Sequence, residues 1–214
     1  MVSDSGSHRC APSGQQGDFM RLVITALALV SGQALAYQPR TGDIVFHTST
    51  SAQSAAIQAA THSVHSHVGV VVHEKGRPMV LEAVEPVKLT PLQSWLDRGR
   101  GKRYVIKRMK PGLTPAAAAQ MESDARRFLG KPYDLTFEWS DDRIYCSELV
   151  WKLFKASAGV ELAPLTTLRT FDLTVPVVKA KLKERYGTDI PLDEPVVPPS
   201  ALFDSELLET VAQR

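Results

Sequence analysis

The chain has 214 residues, 25 Lys and Arg against 23 Asp and Glu, and a formal net charge of +2. The length suits one domain at roughly 100–200 residues each, and the near-balanced charge excludes the strong basic excess of a dedicated nucleic-acid binder. Two cysteines exclude a disulfide-dense scaffold and a zinc site of four thiolates.

Residues 1–18 are Ser/Gly/Gln-rich and carry no periodicity. Met20-Arg21 then leads into the apolar run Leu22 to Val30 and the small-residue stretch Ser31 to Ala36. A positive start, a short apolar run and an A-x-A end describe a secretory signal peptide. The run is shorter than the roughly 20 residues a spanning helix needs, so the mature protein is expected to keep no membrane span. Cleavage after Ala36 leaves Tyr37 as the first mature residue, residues 1–19 lie upstream of a start at Met20, and the product is exported to the periplasm or beyond. Residues 37–214 then form one domain. Cys10 falls in the discarded part, so the mature chain holds Cys146 alone. An odd cysteine in an exported protein is a reactive thiol, an intermolecular bridge or a small buried hydrophobe.

In the mature part, Thr41-Gly42-Asp43 reads as a turn into the strand Ile44-Val45-Phe46. Residues 50–61, rich in Ala, Ser and Gln, suit a helix capped by Ser49 or Thr50. Val68 to Val72 is a strand, His73 to Gly76 a turn, and Met79 to Val84 the returning strand. Val87-Lys88-Leu89 adds a third. Pro91 to Arg98 reads as a helix capped by Thr90, and Tyr104-Val105-Ile106 as a further strand. Thr114 and Pro115 open a helix running to Phe128-Leu129. A second long helix starts near Tyr145, with Cys146, Leu149, Val150, Leu153 and Phe154 on one stripe. Beyond Gly159, six prolines from Pro164 to Pro199 make an irregular segment with one helix near 177–186. Strands followed by helices indicate an α+β domain with an antiparallel sheet packed against helices, the Cys-bearing helix among them.

Three residues carry a chemical pattern. Cys146 sits at a helix N-terminus, where the dipole favours a thiolate and unpaired N–H groups face an oxyanion. On helix geometry alone a core cysteine is the slightly favoured reading. His67 opens one strand and Glu82 lies on its return; a turn centred between Glu74 and Lys75 sets them opposite each other. A carboxylate there orients the imidazole, as the third group of a catalytic triad does. A one-residue slip would break the pairing. The competing reading uses His62, His65, His67 and His73, with His65 and His67 alternating like two zinc ligands on a strand. The chain has no H-E-x-x-H helix and the segment lacks a clear carboxylate ligand, so His62, His65 and His73 are expected at loops or the rim.

The ordered set Gly42 to Phe46, Ser66 to Val70, Leu81-Glu82-Ala83, Tyr133-Asp134 and Tyr145 to Leu149 resembles the YiiX-like group of permuted papain-fold cysteine hydrolases in the NlpC superfamily, over about Gly42 to Leu162. Val197 to Phe203 resembles that group's closing segment. The resemblance implies a circularly permuted papain-like core, with Cys146 as nucleophile, His67 as general base and acid, and Glu82 orienting His67. Tyr145 and Tyr133 match aromatic positions beside the site, with a substrate or oxyanion contact implied. The implied chemistry is cleavage of amide, peptide or acyl bonds, on peptidoglycan peptides or on lipid and acyl amides, without a cofactor or metal. Two readings from other classes stand beside it: a non-catalytic envelope binding module of the same fold, and a zinc hydrolase. Neither oligomeric state nor a lid role for the Pro-rich segment follows from the sequence.

Overall fold

Alternation of side chains across the strands sorts the core into two faces. The computed structural model describes residues 37–214; the expected signal peptide and Cys10 lie outside the described residues. The elements run β1 (Ile44–His47), α1 (Ser54–Thr61), β2 (His67–Glu74), β3 (Arg77–Glu82), β4 (Lys88–Pro91), α2 (Leu92–Arg98), β5 (Val105–Met109), α3 (Pro115–Ala125) and α4 (Cys146–Ala158). They continue as β6 (Thr166–Thr167), α5 (Pro176–Tyr186), β7 (Pro195–Val196), α6 (Pro199–Phe203) and β8 (Leu208–Gln213). The main sheet has the order β4-β3-β2-β1-β5-β8, and every neighbouring pair is antiparallel. The fold is α+β, as expected.

On one face Ile44, Phe46, Val68, Val70 and Val72 pack with Leu149, Val150 and Leu153 of α4 and Met121 of α3. On the other, Val45, Val71, Val80 and Ile106 pack with Leu92, Trp95 and Leu96 of α2. Burying such a side chain stabilises by about 1.5–3 kcal/mol, so the two faces clamp the sheet. A satellite core of Leu168, Val178 and Leu182 joins α5 and the Pro-rich segment to Ala59 and Ala60 of α1.

Several local expectations are corrected. The hairpin between β2 and β3 turns at Lys75-Gly76, both at positive φ (50° and 74°). Two successive left-handed residues are what a tight two-residue hairpin requires. His73 therefore lies within β2 rather than in the turn. The turn centre moves by one residue, and the pairing moves by two: Val70 opposes Leu81, with Val71 opposite Val80.

Neither Ser49 nor Thr50 caps α1, which starts at Ser54 with no side-chain cap; Ser49 Oγ instead accepts from Ser51 N at 3.0 Å. Thr90 does not cap α2 either, because its hydroxyl is engaged elsewhere, as described below. Thr114 does cap α3, its Oγ1 accepting from Ala117 N at 3.2 Å. That helix ends at Ala125, before Phe128-Leu129, because Arg127 N, Phe128 N and Leu129 N turn to carbonyls three residues back. Gly159, at φ 69°, closes α4. Unforeseen elements are β6, β7, α6 and β8, the last of which pairs with β5 and supplies one edge of the sheet. Among the described residues no helix is long and apolar enough to cross a membrane.

Candidate active site

His67 is the first residue of β2, and Glu82 the last of β3. The observed register, extended by one pair, sets Glu82 against Gly69 rather than His67. The shift is an even number of residues, so both side chains remain on the same face. They meet diagonally, His67 Nε2 lying 2.8 Å from Glu82 Oε2. Gly69 leaves the room between them. A Cβ there would stand 2.5 Å from Val80 Cγ1, 2.9 Å from the Leu81 carbonyl oxygen and 3.5 Å from Glu82 Cβ.

Glu82 is fully buried, and a buried carboxylate persists only when its lone pairs are filled. Thr90 Oγ1 donates to Oε1 at 2.6 Å, and Trp95 Nε1 donates to Oε2 at 2.9 Å. The Arg98 guanidinium also donates to Oε2. Burial pushes this carboxyl up, but the bonds from His67, Arg98 and Thr90 outweigh it and hold it well below the usual carboxylate range. Burial likewise disfavours a charged His67, yet its hydrogen bonds with Cys146 and Glu82 and its attraction to both raise it to about 9. With Nε2 given to Glu82, Nδ1 is the ring nitrogen left for the thiol.

Cys146 is the first residue of α4 and is buried. Its thiol is among the groups that raise the His67 imidazole. The N–H groups of Cys146 and Ser147 belong to the first helical turn and have no intrahelical acceptor. The turn is held from beneath by Glu148, whose Oε2 accepts from Tyr145 N at 3.2 Å while Lys152 Nζ stands 2.9 Å from Oε1. Burial pushes Glu148 up to about 7 against the pull of Lys152.

The two tyrosines separate in role. Tyr145 Oη accepts from Val197 N at 3.1 Å, tying the C-terminal segment to the start of α4. Tyr133 Oη accepts from Gln53 Nε2 at 2.8 Å, and the Arg185 guanidinium donates to Gln53 Oε1. A guanidinium only donates, which fixes the Gln53 amide orientation and leaves the Tyr133 proton free for another acceptor. Burial, and then the charge of Cys146, raise the Tyr133 phenol.

Sequence reasoning missed His47, Gln53, Thr90, Trp95 and Arg98 as parts of this cluster. His47 opposes His67 across β1–β2 and stacks on Trp95 at 4.0 Å between ring centroids. Burial, together with the charges of His67 and Arg98, lowers it to about 3. The available signal was spacing: Trp95 and Arg98 are three apart on α2, on one face of that helix. The remaining histidines disperse. His65 is half-buried and stacks on Phe203 at 4.0 Å. His62 is exposed 3.6 Å from Asp172, and His73 lies 3.0 Å from Thr41 Oγ1. His65 and His67 therefore do not converge as a ligand pair. Among the described residues no three His, Cys, Asp or Glu side chains gather in a metal-holding arrangement.

Comparison with known proteins agrees with the fold and with an amidase. Residues 38–212 match the family described as "Permuted papain-like amidase enzyme, YaeF/YiiX, C92 family". The uncharacterized protein YiiX of Escherichia coli (strain K12) is 51% identical over 193 residues, covering 90% of this chain and 95% of that protein. The crystal structure of a protein described as metalloprotein yiiX, from Escherichia coli O157:H7, is similar with a TM-score of 0.81 and 50% identity, over 83% of this chain and 99% of that one.

Proposed function

The chain belongs to the permuted papain-like amidase family, and from that premise we propose that it is a cysteine-type hydrolase of amide, peptide or acyl bonds, with Cys146 as nucleophile. The observation that carries the reading is the buried His67–Glu82 pair, 2.8 Å apart through Nε2, with Cys146 at the first position of α4 and among the groups that raise His67. His67 takes the thiol proton, and the sulfur bonds to the substrate carbonyl carbon. The oxyanion is met by first-turn N–H groups of α4 and by the free Tyr133 proton. His67 returns its proton to the amine nitrogen as the C–N bond breaks, leaving a thioester on Cys146. Water, deprotonated by His67, then attacks the thioester; the acid departs and the thiol is restored. Glu82 holds the ring in one orientation throughout. Tyr145 acts indirectly, by fixing the C-terminal segment.

The similar protein from Escherichia coli O157:H7 is described as a metalloprotein. Here His67 is committed to Glu82 at 2.8 Å, His47 beside it stacks on Trp95, and His62, His65 and His73 lie elsewhere, so the donor set does not fit a metal and no step uses one. Turnover is expected to survive a chelator unchanged, checked by assay after dialysis against EDTA. The signal-like pattern of Met20 to Ala36 supports action outside the cytoplasm, on peptidoglycan peptides or acyl amides of the envelope. A cut after Ala36 would spare Tyr37, whose hydroxyl donates to Asp43 at 2.6 Å.

The test is intact-mass labelling by a small thiol electrophile from about pH 5 to about pH 9. The expected result is fast labelling of Cys146 below about pH 7, slowed in His67→Ala. Labelling no faster than a free thiol, and indifferent to His67, would overturn the reading in favour of a binding module.

A further inference from the structure

Side chains from three distant parts of the chain form one line of hydrogen bonds at the edge of the site. Arg185 of α5 donates to Gln53 Oε1 across 132 residues, and Gln53 Nε2 donates to Tyr133 Oη at 2.8 Å across 80 residues. The Arg185 guanidinium lies over the Phe137 ring, 4.7 Å from its centroid, a contact that holds the cation in place. Phe137 in turn meets Tyr145, the residue before Cys146, edge to face at 5.1 Å. Next along α5, the Tyr186 hydroxyl donates to the Thr136 carbonyl. Consecutive residues of α5 therefore grip the segment that follows Tyr133. Tyr133, Gln53 and His67 border one cleft.

We propose that Gln53 and Arg185 are positioning residues: the line Arg185–Gln53–Tyr133 aims the phenol proton at the oxyanion, so the Pro-rich segment carrying Arg185 completes the catalytic site. The inference rests on the thiol reading above, with Tyr133 as an oxyanion donor, and adds what sets that donor's direction. The argument is one of donors and acceptors. A phenol both donates and accepts, and an unrestrained carboxamide can turn either end toward it. An amide oxygen facing Tyr133 would take the phenol proton and deprive the oxyanion of it. Arg185 forbids that arrangement, because a guanidinium has donors and no acceptor, and so compels the amide oxygen to face it. The amide N–H is then given to Tyr133 Oη, whose proton is left to donate. A hydroxyl that accepts one hydrogen bond donates the next more strongly. In line with this, the bond from Gln53 pulls the phenol down against the burial that raises it.

The test separates a step that forms an oxyanion from one that does not. Acylation by 4-nitrophenyl acetate forms one: sulfur bonds to the acetyl carbon and 4-nitrophenolate leaves. Alkylation by iodoacetamide forms none, since sulfur displaces iodide at a methylene carbon. In Gln53→Glu the carboxylate still pairs with Arg185 but accepts the phenol proton. Acylation should therefore slow by roughly 10²-fold, the scale of one lost oxyanion donor, in Gln53→Glu and in Tyr133→Phe alike. Alkylation of Cys146 should stay near the wild-type rate in both. The double variant should be no slower than either single one, because both remove the same hydrogen bond. Thermal melting of Gln53→Glu should stay level or rise, an outcome that a merely structural amide would pair with full activity. Arg185→Met frees the amide to turn and should slow acylation, and Arg185→Lys should recover part of that loss.

Wild-type acylation in Gln53→Glu, or losses that multiply in the double variant, would overturn the proposal. Equal slowing of acylation and alkylation would overturn it too, since the added charge would then act on the thiol itself. Normal acylation in Tyr133→Phe sinks the proposal while leaving the thiol reading intact. Alkylation that is indifferent to His67 sinks both.

Discussion

Glu82 is the residue on which the site's electrostatics converge. It accepts from a histidine, a threonine, a tryptophan and an arginine while fully buried. Glu82→Gln keeps the shape but offers His67 and Arg98 a neutral partner, and an amide can present the wrong group to Nε2. In a serine triad the equivalent change costs roughly 10⁴ in kcat; a loss of roughly 10²–10⁴ is expected here. The pH profile distinguishes orientation from mere structure. With His67 raised to about 9, activity should fall as pH climbs through about 9, and in Glu82→Gln that limb should move to lower pH because one of the supports of the imidazolium is gone. A profile that scales down without shifting would assign Glu82 a packing role. Cys146→Ala should lose essentially all turnover, and its melting temperature should change little, since one sulfur leaves a small void.

At the scale of elements, the β2–β3 hairpin decides whether the histidine and carboxylate meet. The turn at Lys75-Gly76 sets the register, and Gly69 opens the diagonal that the register requires. Gly69→Ala would drive a methyl into Val80 and the Leu81 carbonyl. A destabilisation of about 1–3 kcal/mol is expected from overpacking, with activity falling further than stability because Glu82 is displaced. Urea unfolding read beside turnover checks this, and equal losses would count against it. The hairpin also shows what was legible. The β-branched run Val68 to Val72 and the apolar run Met79 to Val84 identified both strands, and a turn between them put His67 and Glu82 on one face. Their side chains meet across a diagonal, because the left-handed tolerance of Lys75 was not visible in its residue type.

For the whole molecule, two buried histidines titrate in opposite directions across one sheet. His47, lowered to about 3, binds its proton in the unfolded chain at about 6.5 but resists it when folded. Its stabilisation is present above about pH 6.5 and lost as pH falls toward 3. Glu82, depressed by its donors, adds to that acid loss. His67, raised to about 9, stabilises fully below about pH 6.5 and loses that contribution as pH rises through about 9. Folding stability should therefore peak near pH 6.5, as read by urea midpoints across pH. His67→Gln should flatten the alkaline side and leave the acid side in place. A wild-type profile flat from about pH 6 to about pH 9 would contradict the assignment.

The sequence by itself determined the α+β class, most of the strands, the Cys-bearing helix with its apolar stripe, and the shared face of His67 and Glu82. These follow from local periodicity and from capping and turn chemistry, which act within a few residues. Tertiary structure alone decided the surroundings. Trp95 and Arg98 reach Glu82 only because α2 folds back over the sheet, and Thr90 because β4 pairs with β3. Gln53 meets Tyr133 across 80 residues. Val178 and Leu182 of α5, in the Pro-rich segment, pack with Ala59 and Ala60 of α1. The edge strand β8 pairs with β5 only in the assembled sheet. Such contacts join residues far apart in the chain, and single-sequence patterns hold no record of which distant faces close on one another.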